Sequence, residues 1–374
     1  MHWLDWISSL KVFVLLGLVL LGAIVWIASL FIRSQRGTIL IHDARTGEKL
    51  CAMRPRGDFT ISCVVFLSDR DQIVTGDFKK ELKIWNVQNG KLIRSWKAHK
   101  DTVNDLACHP QGTELVTGGA DNRVKIWEAS SGKHKRTFKG HTGSVSCVDF
   151  SSDGKLILSG SYDSTVKVWN AKTGEELHSL AEHTGKVMCA AFSADGSLIV
   201  SGAIGTSVAE ASNKKRRSTQ SSPVGEIIVW SVSTGESKLT FNTANSTIRA
   251  VAFSPDARQI FLGGSELGTV QIYNAITGEE ESYLAGHTTV VTSLVISPDD
   301  KCIAGGSQGG SLIIWETSTE EPSQYFYGHT TGVTALAFSS DGRQIVSCSK
   351  RKRRRAFKDR IFGDQTSDTG MNMD

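Results

Sequence analysis

The chain has 374 residues, among them 42 Lys and Arg and 38 Asp and Glu, and its formal net charge is +4 at pH 7. Ten of the cations lie in two runs, at 214–217 and 350–355, so the remainder carries a net charge of 4 − 10 = −6. No aromatic residues alternate with the two runs except Phe357 and Phe362, so the sequence does not indicate a nucleic-acid-binding surface. The seven cysteines include no paired C-x₂-C spacing, which argues against a zinc site, and they indicate core packing rather than a disulfide framework.

The chain begins with a predicted tail at 1–11 and a long apolar run at 12–32. This run has no charged residue over 21 positions, and a helix of that length spans about 30 Å, the thickness of a bilayer's hydrocarbon core. A cleaved signal peptide is the main alternative. It normally has a shorter apolar stretch and a basic start, whereas Asp5 lies in this leader. We therefore expect an uncleaved transmembrane helix at 12–32.

Lys and Arg residues are distributed unequally on the two sides of the apolar run. The amino-terminal side has only Lys11, while the other side has Arg33, Arg36, Arg45, Lys49, Arg54 and Arg56. Positively charged flanks remain on the cytoplasmic side. We expect a single-pass membrane protein whose main domain is cytoplasmic and is joined to the helix by a linker at 33–36.

From residue 37 onward an aromatic residue recurs at nearly constant spacing. The series is Trp85, Trp127, Trp169, Trp230, Tyr273 and Trp315. The flanking text also repeats, because "GTILIHDARTGEKL" from Gly37 aligns without a gap to "STVKVWNAKTGEEL" from Ser164. A period of roughly 40–45 residues built from short strands predicts a propeller with one four-stranded blade per repeat. The repeat resembles the WD-repeat (WD40-type) family, which implies a β-propeller that binds other proteins.

The strand count predicts seven blades over 37–349. Six repeats end at the aromatic residues named above, and a seventh begins at Gly328 and stops after its second strand, at Ser349. Two unpaired strands, at 38–43 and 48–53, precede the first complete repeat. We expect both ends of the domain to build blade seven, which closes the ring and removes exposed strand edges.

The resemblance also implies a hydrogen-bonded set of four side chains within a blade. Its members are a His in the turn before the first strand, a Ser or Thr on the second strand, an Asp before the third strand, and the Trp. Two blades have all four: His99, Thr117, Asp121 and Trp127, and His141, Ser159, Asp163 and Trp169. Elsewhere Lys79 and Val224 stand at the Asp position, Gly263 and Gly305 replace the Ser or Thr, and blade five has no His before its first strand. We expect those blades to be less rigid.

The two basic runs leave the same edge of the predicted ring. The first lies in an insertion at 204–224, predicted to be disordered, between the second and third strands of blade four, and the second begins a disordered tail at 350–374. They comprise Lys214, Lys215, Arg216 and Arg217, and Lys350, Arg351, Lys352, Arg353, Arg354 and Arg355. We interpret them as candidate contacts for anionic lipid or an acidic partner. Solvated loops without a partner remain the alternative.

No catalytic, cofactor-binding or metal-binding motif is found in the sequence. It has no P-loop, no H-E-x-x-H and no G-x-S-x-G. The preferred interpretation is a non-enzymatic, membrane-anchored scaffold whose anchored face lies near the bilayer. The alternative is an extracytoplasmic propeller that acts as an enzyme or binds a ligand at its central channel, where Asp105 and Asp149 are the exceptional polar residues.

Overall fold

The structure is a computed structural model that describes residues 37–53, 55, 60–67, 71–206, 223–243, 247–264 and 266–350. These residues form seven antiparallel sheets of four strands each. No helix among them is long and apolar enough to span a membrane. The predicted anchor at 12–32 lies outside the described residues, as do the tail at 1–11 and the linker at 33–36.

Each sheet is one blade, and its strands follow one another from the channel to the rim. Blade one has β3 (Ile61–Phe66), β4 (Gln72–Asp77), β5 (Glu81–Asn86) and β6 (Leu92–Lys97); blade two has β7 (Val103–Cys108), β8 (Glu114–Gly119), β9 (Val124–Glu128) and β10 (His134–Phe138). Blade three has β11 (Val145–Phe150), β12 (Leu156–Ser161), β13 (Val166–Asn170) and β14 (Glu176–Leu180); blade four has β15 (Lys186–Phe192), β16 (Leu198–Thr206), β17 (Pro223–Ser231) and β18 (Ser237–Thr243). Blade five has β19 (Ala250–Phe253), β20 (Gln259–Gly263), β21 (Val270–Asn274) and β22 (Glu280–Leu284); blade six has β23 (Val291–Ile296), β24 (Cys302–Ser307), β25 (Leu312–Glu316) and β26 (Pro322–Phe326).

Blade seven is built from both ends of the domain, as the strand count predicted. Its order is β2 (Lys49–Met53), β1 (Ile39–Asp43), β28 (Gln344–Ser349) and β27 (Val333–Phe338). The β1–β28 register runs from Ile39 opposite Cys348 to Asp43 opposite Gln344. The ring is therefore closed by one antiparallel strand pair.

Tight turns join the first and second strands of the blades, and the turn at Asp153-Gly154 shows why glycine is used there. Gly154 has a φ of 71°, a conformation that residues with a Cβ rarely adopt. Its backbone also lies against the ring of His109, so an added Cβ would be 2.1 Å from His109 Nε2. Both the turn and the packing of the neighbouring blade favour glycine at this position.

The hydrophobic core lies between the blades. Seven clusters of buried residues are present in the described structure, and each contains side chains from two adjacent blades. The aromatic residue of each repeat packs against the preceding blade; Trp169, for example, lies with Val116 of blade two. Both faces of a blade are thus buried, which explains the apolar side chains on both faces of the inner strands.

The insertion in blade four is shorter than the sequence predicted. Ile204 pairs with Gly225, Gly205 with Val224 and Thr206 with Pro223, so the prediction of disorder over 204–224 is wrong at both ends. The β16–β17 ladder continues because no tight turn interrupts it. Residues 207–222, including Lys214–Arg217, lie outside the described residues.

Candidate partner-binding face

The structure brings together the four predicted side chains in blade two. His99 Nδ1 is 2.8 Å from Asp121 Oδ1, and His99 Nε2 is 2.8 Å from Thr117 Oγ1. Trp127 Nε1 donates to the same hydroxyl at 2.9 Å. Burial by itself would raise the pKa of Asp121, but hydrogen bonds from His99 and the Lys100 N–H lower it to about 2. The four groups connect the turn before the first strand to the body of the blade.

Blade three has the same arrangement, and its hydroxyl is inaccessible. His141 lies 3.0 Å from Asp163 Oδ2 and 2.8 Å from Ser159 Oγ, to which Trp169 Nε1 donates at 2.8 Å. A His, a Ser and a carboxylate at these distances resemble a nucleophilic triad. However, Ser159 is completely buried, so no substrate reaches its hydroxyl. The arrangement is consistent with a structural role.

Blade four also has a complete set, which the sequence analysis missed. His183 Nδ1 lies 2.7 Å from Glu226 Oε2 and His183 Nε2 lies 2.7 Å from Ser201 Oγ, while Trp230 Nε1 donates to Ser201 at 2.8 Å. The prediction that Val224 leaves this blade without its acid is therefore wrong. Because the β16–β17 ladder extends past the usual turn position, a longer carboxylate within β17 takes the place of the turn Asp. In the sequence, this carboxylate could have been recognised by its position four residues before Trp230.

Blade six replaces the Ser or Thr with backbone acceptors. His287 Nδ1 lies 2.7 Å from Ser311 Oγ, and its Nε2 lies 3.0 Å from the carbonyl of Gly305. Trp315 Nε1 donates to the Ala285 carbonyl at 2.8 Å. Ser311, like Glu226, stands four residues before its Trp. The polar groups of this blade are satisfied by a different route from that of blades two to four.

Blades one and five keep only part of the arrangement in the described structure. In blade one Trp85 Nε1 donates to Thr75 Oγ1 at 2.9 Å, and a buried ion pair joins Lys83 to Asp77. In blade five the hydroxyl of Tyr273 donates to Glu280 Oε2 at 3.2 Å on the outer strand.

Blade seven carries the buried His42 and the partly buried His329, and it has no carboxylate in this arrangement among the described residues. His329 contacts Ser347 Oγ at 2.8 Å and Thr38 Oγ1 at 2.6 Å. His42 occupies the Trp position, as its alignment with Trp169 indicates, and its ring centroid lies 5.0 Å from that of Phe326 in blade six. His42 Nδ1 is buried without a hydrogen-bond partner among the described residues. The closing strand therefore carries the least satisfied of these sites.

The side of the ring that bears these histidines also bears the mouth of the central channel. The residues that line its cavity of about 470 Å³ include one from the equivalent repeat position of each blade, at or near the start of the innermost strand. We call these seven residues the mouth ring: Ser62, Asn104, Ser146, Met188, Arg249, Thr292 and Thr334. No short motif predicts this set, because its members come from seven separate repeats.

Hydroxyl and amide groups of the mouth ring connect neighbouring blades. Ser146 Oγ donates to the Val187 carbonyl of the next blade at 2.7 Å, and Thr292 Oγ1 donates to the Val333 carbonyl at the same distance. Asn104 Nδ2 donates likewise to the carbonyl of Val145. These bonds pre-organise the mouth as a rigid concave surface.

Exposed apolar side chains surround the mouth. Phe78 and Tyr162 line the cavity, and their side chains are 55% and 40% exposed. Glu266 also lines the cavity, and the residue that follows it in the sequence, Leu267, is 83% exposed. Lys186 Nζ lies 5.3 Å from the centroid of the Tyr162 ring. Exposed aromatic residues beside cations are typical of protein-binding surfaces.

Asp105 and Asp149 lie deeper in the channel and connect blades. Asp105 Oδ2 accepts the Val148 N–H at 2.9 Å, and Asp149 Oδ2 accepts the Phe192 N–H at 3.3 Å. Burial raises the pKa of Asp105 to about 7 and that of Asp149 to about 6. Both carboxyls are thus engaged with the backbone of the following blade.

The cysteines form no disulfide in the described residues, and Cys63, Cys147, Cys189 and Cys348 are buried. Burial raises the pKa of the Cys147 thiol to about 12. Within the described ranges, no group of three His, Cys, Asp or Glu residues is arranged to hold a metal ion.

Of the predicted basic contacts, only Lys350 lies within the described residues. It lines the channel mouth, and its N–H donates to the Gly332 carbonyl at 3.0 Å, so it belongs to the propeller rather than to the predicted tail. Arg351, Lys352, Arg353, Arg354 and Arg355 lie outside the described part of the chain.

The sequence model of the family described as "WD domain, G-beta repeat" matches seven segments, which together cover more than half of the chain. They are residues 51–86, 90–128, 132–170, 174–208, 235–274, 278–316 and 320–352. A comparison with curated proteins found no match. Most matched segments start near the outer strand of one blade and end at the third strand of the next blade. The sequence repeat is therefore shifted by one strand from the structural blade, and the first repeat begins on the outer strand of blade seven. With seven matched repeats and seven blades, the chain belongs to the WD-repeat family, whose propellers typically serve as non-enzymatic scaffolds for other proteins.

Proposed function

We propose that this chain is a membrane-anchored, non-enzymatic scaffold that binds other proteins through the channel-mouth face. The observation that carries the proposal is that the exposed aromatic side chains of Phe78 and Tyr162 line a concave mouth, and that exposed Leu267 follows the lining residue Glu266 in the sequence. Apolar side chains gathered at a rigid rim indicate a protein-binding surface more than a catalytic one.

The proposed anchor is the apolar run at 12–32, and the point at which the chain enters the ring supports the choice of face. The chain enters the propeller through Thr38, whose hydroxyl contacts His329 on the mouth side of blade seven. A linker at 33–36 spans at most about 14 Å. The mouth face would then lie close to the bilayer on the cytoplasmic side, which the Lys and Arg bias favours.

The basic runs would add electrostatic attraction to an anionic leaflet. The β16–β17 ladder extends to Thr206 and Pro223, and Lys214–Arg217 stand between these two residues in the sequence. Arg351–Arg355 directly follow Lys350 at the mouth. Each Lys or Arg near such a surface contributes about 1 kcal/mol to membrane binding. Salt weakens this attraction for charges that lie more than about 10 Å from the surface.

Membrane anchoring is tested by alkaline carbonate extraction of the full chain from cells. Wild type should remain in the membrane pellet, and the variant Leu18→Arg with Ile24→Arg should be released, because each charge at the bilayer centre opposes insertion by about 3 kcal/mol. The control adds the same charges outside the apolar run, as Ser8→Arg with Ser9→Arg. Release of wild type would contradict the anchor.

Partner binding is tested by proximity labelling with the full chain. The variant Phe78→Ser with Leu267→Ser should lose a defined set of labelled proteins that wild type retains. The matched control, Leu92→Ser with Ile276→Ser, removes exposed apolar side chains away from the mouth. An identical labelled set for all three proteins would contradict the proposed face.

A further inference from the structure

Arg249 differs from the other six members of the mouth ring. Four of them donate to a carbonyl of the next blade, namely Ser62, Asn104, Ser146 and Thr292. Arg249 is exposed, and its guanidinium has no hydrogen bond or ion pair within the described part of the chain. A long cation therefore stands at the mouth where the other blades carry short side chains or Met188.

The groups around Arg249 do not neutralise it. Met188, its neighbour in the ring, is a weak acceptor, and Glu266 lines the cavity without an ion pair to Arg249. Lys350 lines the same cavity and Lys186 stands over Tyr162. The mouth consequently carries an excess of positive charge in a concave site, where a field acts more strongly than on a flat surface.

We propose that the mouth binds an acidic segment of a protein partner, with a carboxylate on Arg249 and apolar side chains on Phe78 and Tyr162. This inference rests on the proposed scaffold function and names the chemistry of its partner. A guanidinium presents paired donors that match a carboxylate.

A protein segment suits this mouth better than a nucleic acid or a lipid surface. A nucleic acid is bound by a row of cations that follows its phosphates, whereas the described cations here surround one narrow cavity together with Glu266. A flat leaflet does not reach side chains that line a concavity. Exposed aromatic residues that line the same cavity as Arg249 match a segment that alternates acidic and apolar residues.

The experiment uses the full chain reconstituted in phosphatidylcholine nanodiscs. The probe is a pool of short fluorescent peptides that combine Glu with Leu and Phe in random order, and matched pools replace Glu by Gln or Lys. We expect wild type to bind the Glu pool at least about tenfold more tightly than either matched pool. Arg249→Met, which installs the side chain of the neighbouring blade, should weaken that binding by about tenfold or more, and Arg249→Lys should weaken it less.

The control variant Lys238→Met removes an exposed cation from the outer strand of blade four and should bind as wild type does. Unchanged melting temperatures would show that Arg249→Met acts on binding and not on folding. The proposal is overturned if wild type does not prefer the Glu pool, if Arg249→Met binds it normally, or if phosphatidylserine in the disc abolishes peptide binding. If Phe78→Ser with Leu267→Ser loses labelled partners while Arg249→Met keeps both partners and peptide, the scaffold stands and the acidic-segment inference fails.

Discussion

Nδ1 of His183 lies 2.7 Å from Oε2 of Glu226, a carboxylate held within strand β17 and not in a turn. The Thr184 N–H donates to the same oxygen at 3.0 Å. Burial alone would raise the pKa of Glu226, but these hydrogen bonds hold it below its ordinary value. The longer side chain of Glu226, on an extended hairpin, thus accepts the same hydrogen bonds as the Asp residues of blades two and three.

Glu226→Ala should destabilise the propeller by about 2–3 kcal/mol, because it leaves buried His183 without an acceptor. The measurement is the unfolding midpoint of the full chain in mild detergent, followed by Trp fluorescence. Glu236→Ala, an exposed change in the same blade, should leave the midpoint unaltered. Equal midpoints for the two variants would show that Glu226 does not stabilise the blade.

Gly305→Ser should lower stability by about 1–3 kcal/mol, although it restores the residue type that other blades use. A Cβ at this position would lie 2.7 Å from Cζ3 of Trp315, whose indole donates to Ala285 instead of to a hydroxyl. The reciprocal change, Ser159→Gly, should also destabilise, because it removes the acceptor of Trp169 and His141. Thermal unfolding of both variants checks the pair; a stabilised Gly305→Ser variant would contradict the packing argument.

Closure of the ring should depend strongly on Ile41, which is fully buried in the cluster between blades seven and one. Ile41→Ala should cost about 3 kcal/mol and should increase hydrogen exchange in β1 and β28 first. Leu50→Ala on the neighbouring strand, at a side chain that is 47% exposed, is the control and should change little. Uniform loss of protection in all blades would indicate that the closure is not a separate weak point.

Blade seven should open as the solution becomes acidic. Burial, and then the nearby charge of His42, lowers the pKa of His329 to about 4, from 6.5 for an unperturbed histidine. The folded pKa is depressed, so its contribution is fully present above pH 6.5 and is lost as the pH falls towards about 4. At about pH 5 the loss from His329 alone is about 2 kcal/mol.

Hydrogen exchange measured from neutral pH to about pH 5, corrected for intrinsic rates, tests this acid sensitivity. Protection in β1 and β28 should fall more than in blade two, where His99 lies 2.8 Å from the carboxylate of Asp121 instead of beside a second histidine. His329→Asn should reduce the pH dependence, and His134→Asn, on an exposed outer strand, should not. The idea fails if both blades lose protection in parallel.

Asn245-Ser246-Thr247 provides a test of topology from the sequence itself. This sequon is glycosylated when it is exposed in the lumen of a secretory membrane. If the propeller is cytoplasmic, this sequon should stay unmodified in eukaryotic cells. A sequon added to the 1–11 tail would then lie in the lumen and should be glycosylated. A glycosidase-sensitive mass shift of the unaltered chain would reverse the orientation and favour the extracytoplasmic alternative.

The repeat itself determined the blade number, the closure by both ends and the two complete sets in blades two and three. These features follow from local patterns that recur every forty or so residues, such as the spacing of Trp127 and Trp169. The two extra strands at one end of the domain and the two missing strands at the other end can be counted in the sequence without knowledge of packing. They predict closure because an unpaired strand edge is unfavourable wherever it occurs.

The tertiary structure decided where a different residue fulfils a familiar role. Glu226 replaces the turn Asp only because the β16–β17 ladder extends, and Trp315 turns to a carbonyl because Gly305 leaves room for its ring. The mouth ring was equally invisible, since Arg249 and Met188 meet only when separate blades converge on one axis. Hydrogen-bond direction and proximity across repeats depend on three-dimensional geometry, which a linear motif does not record.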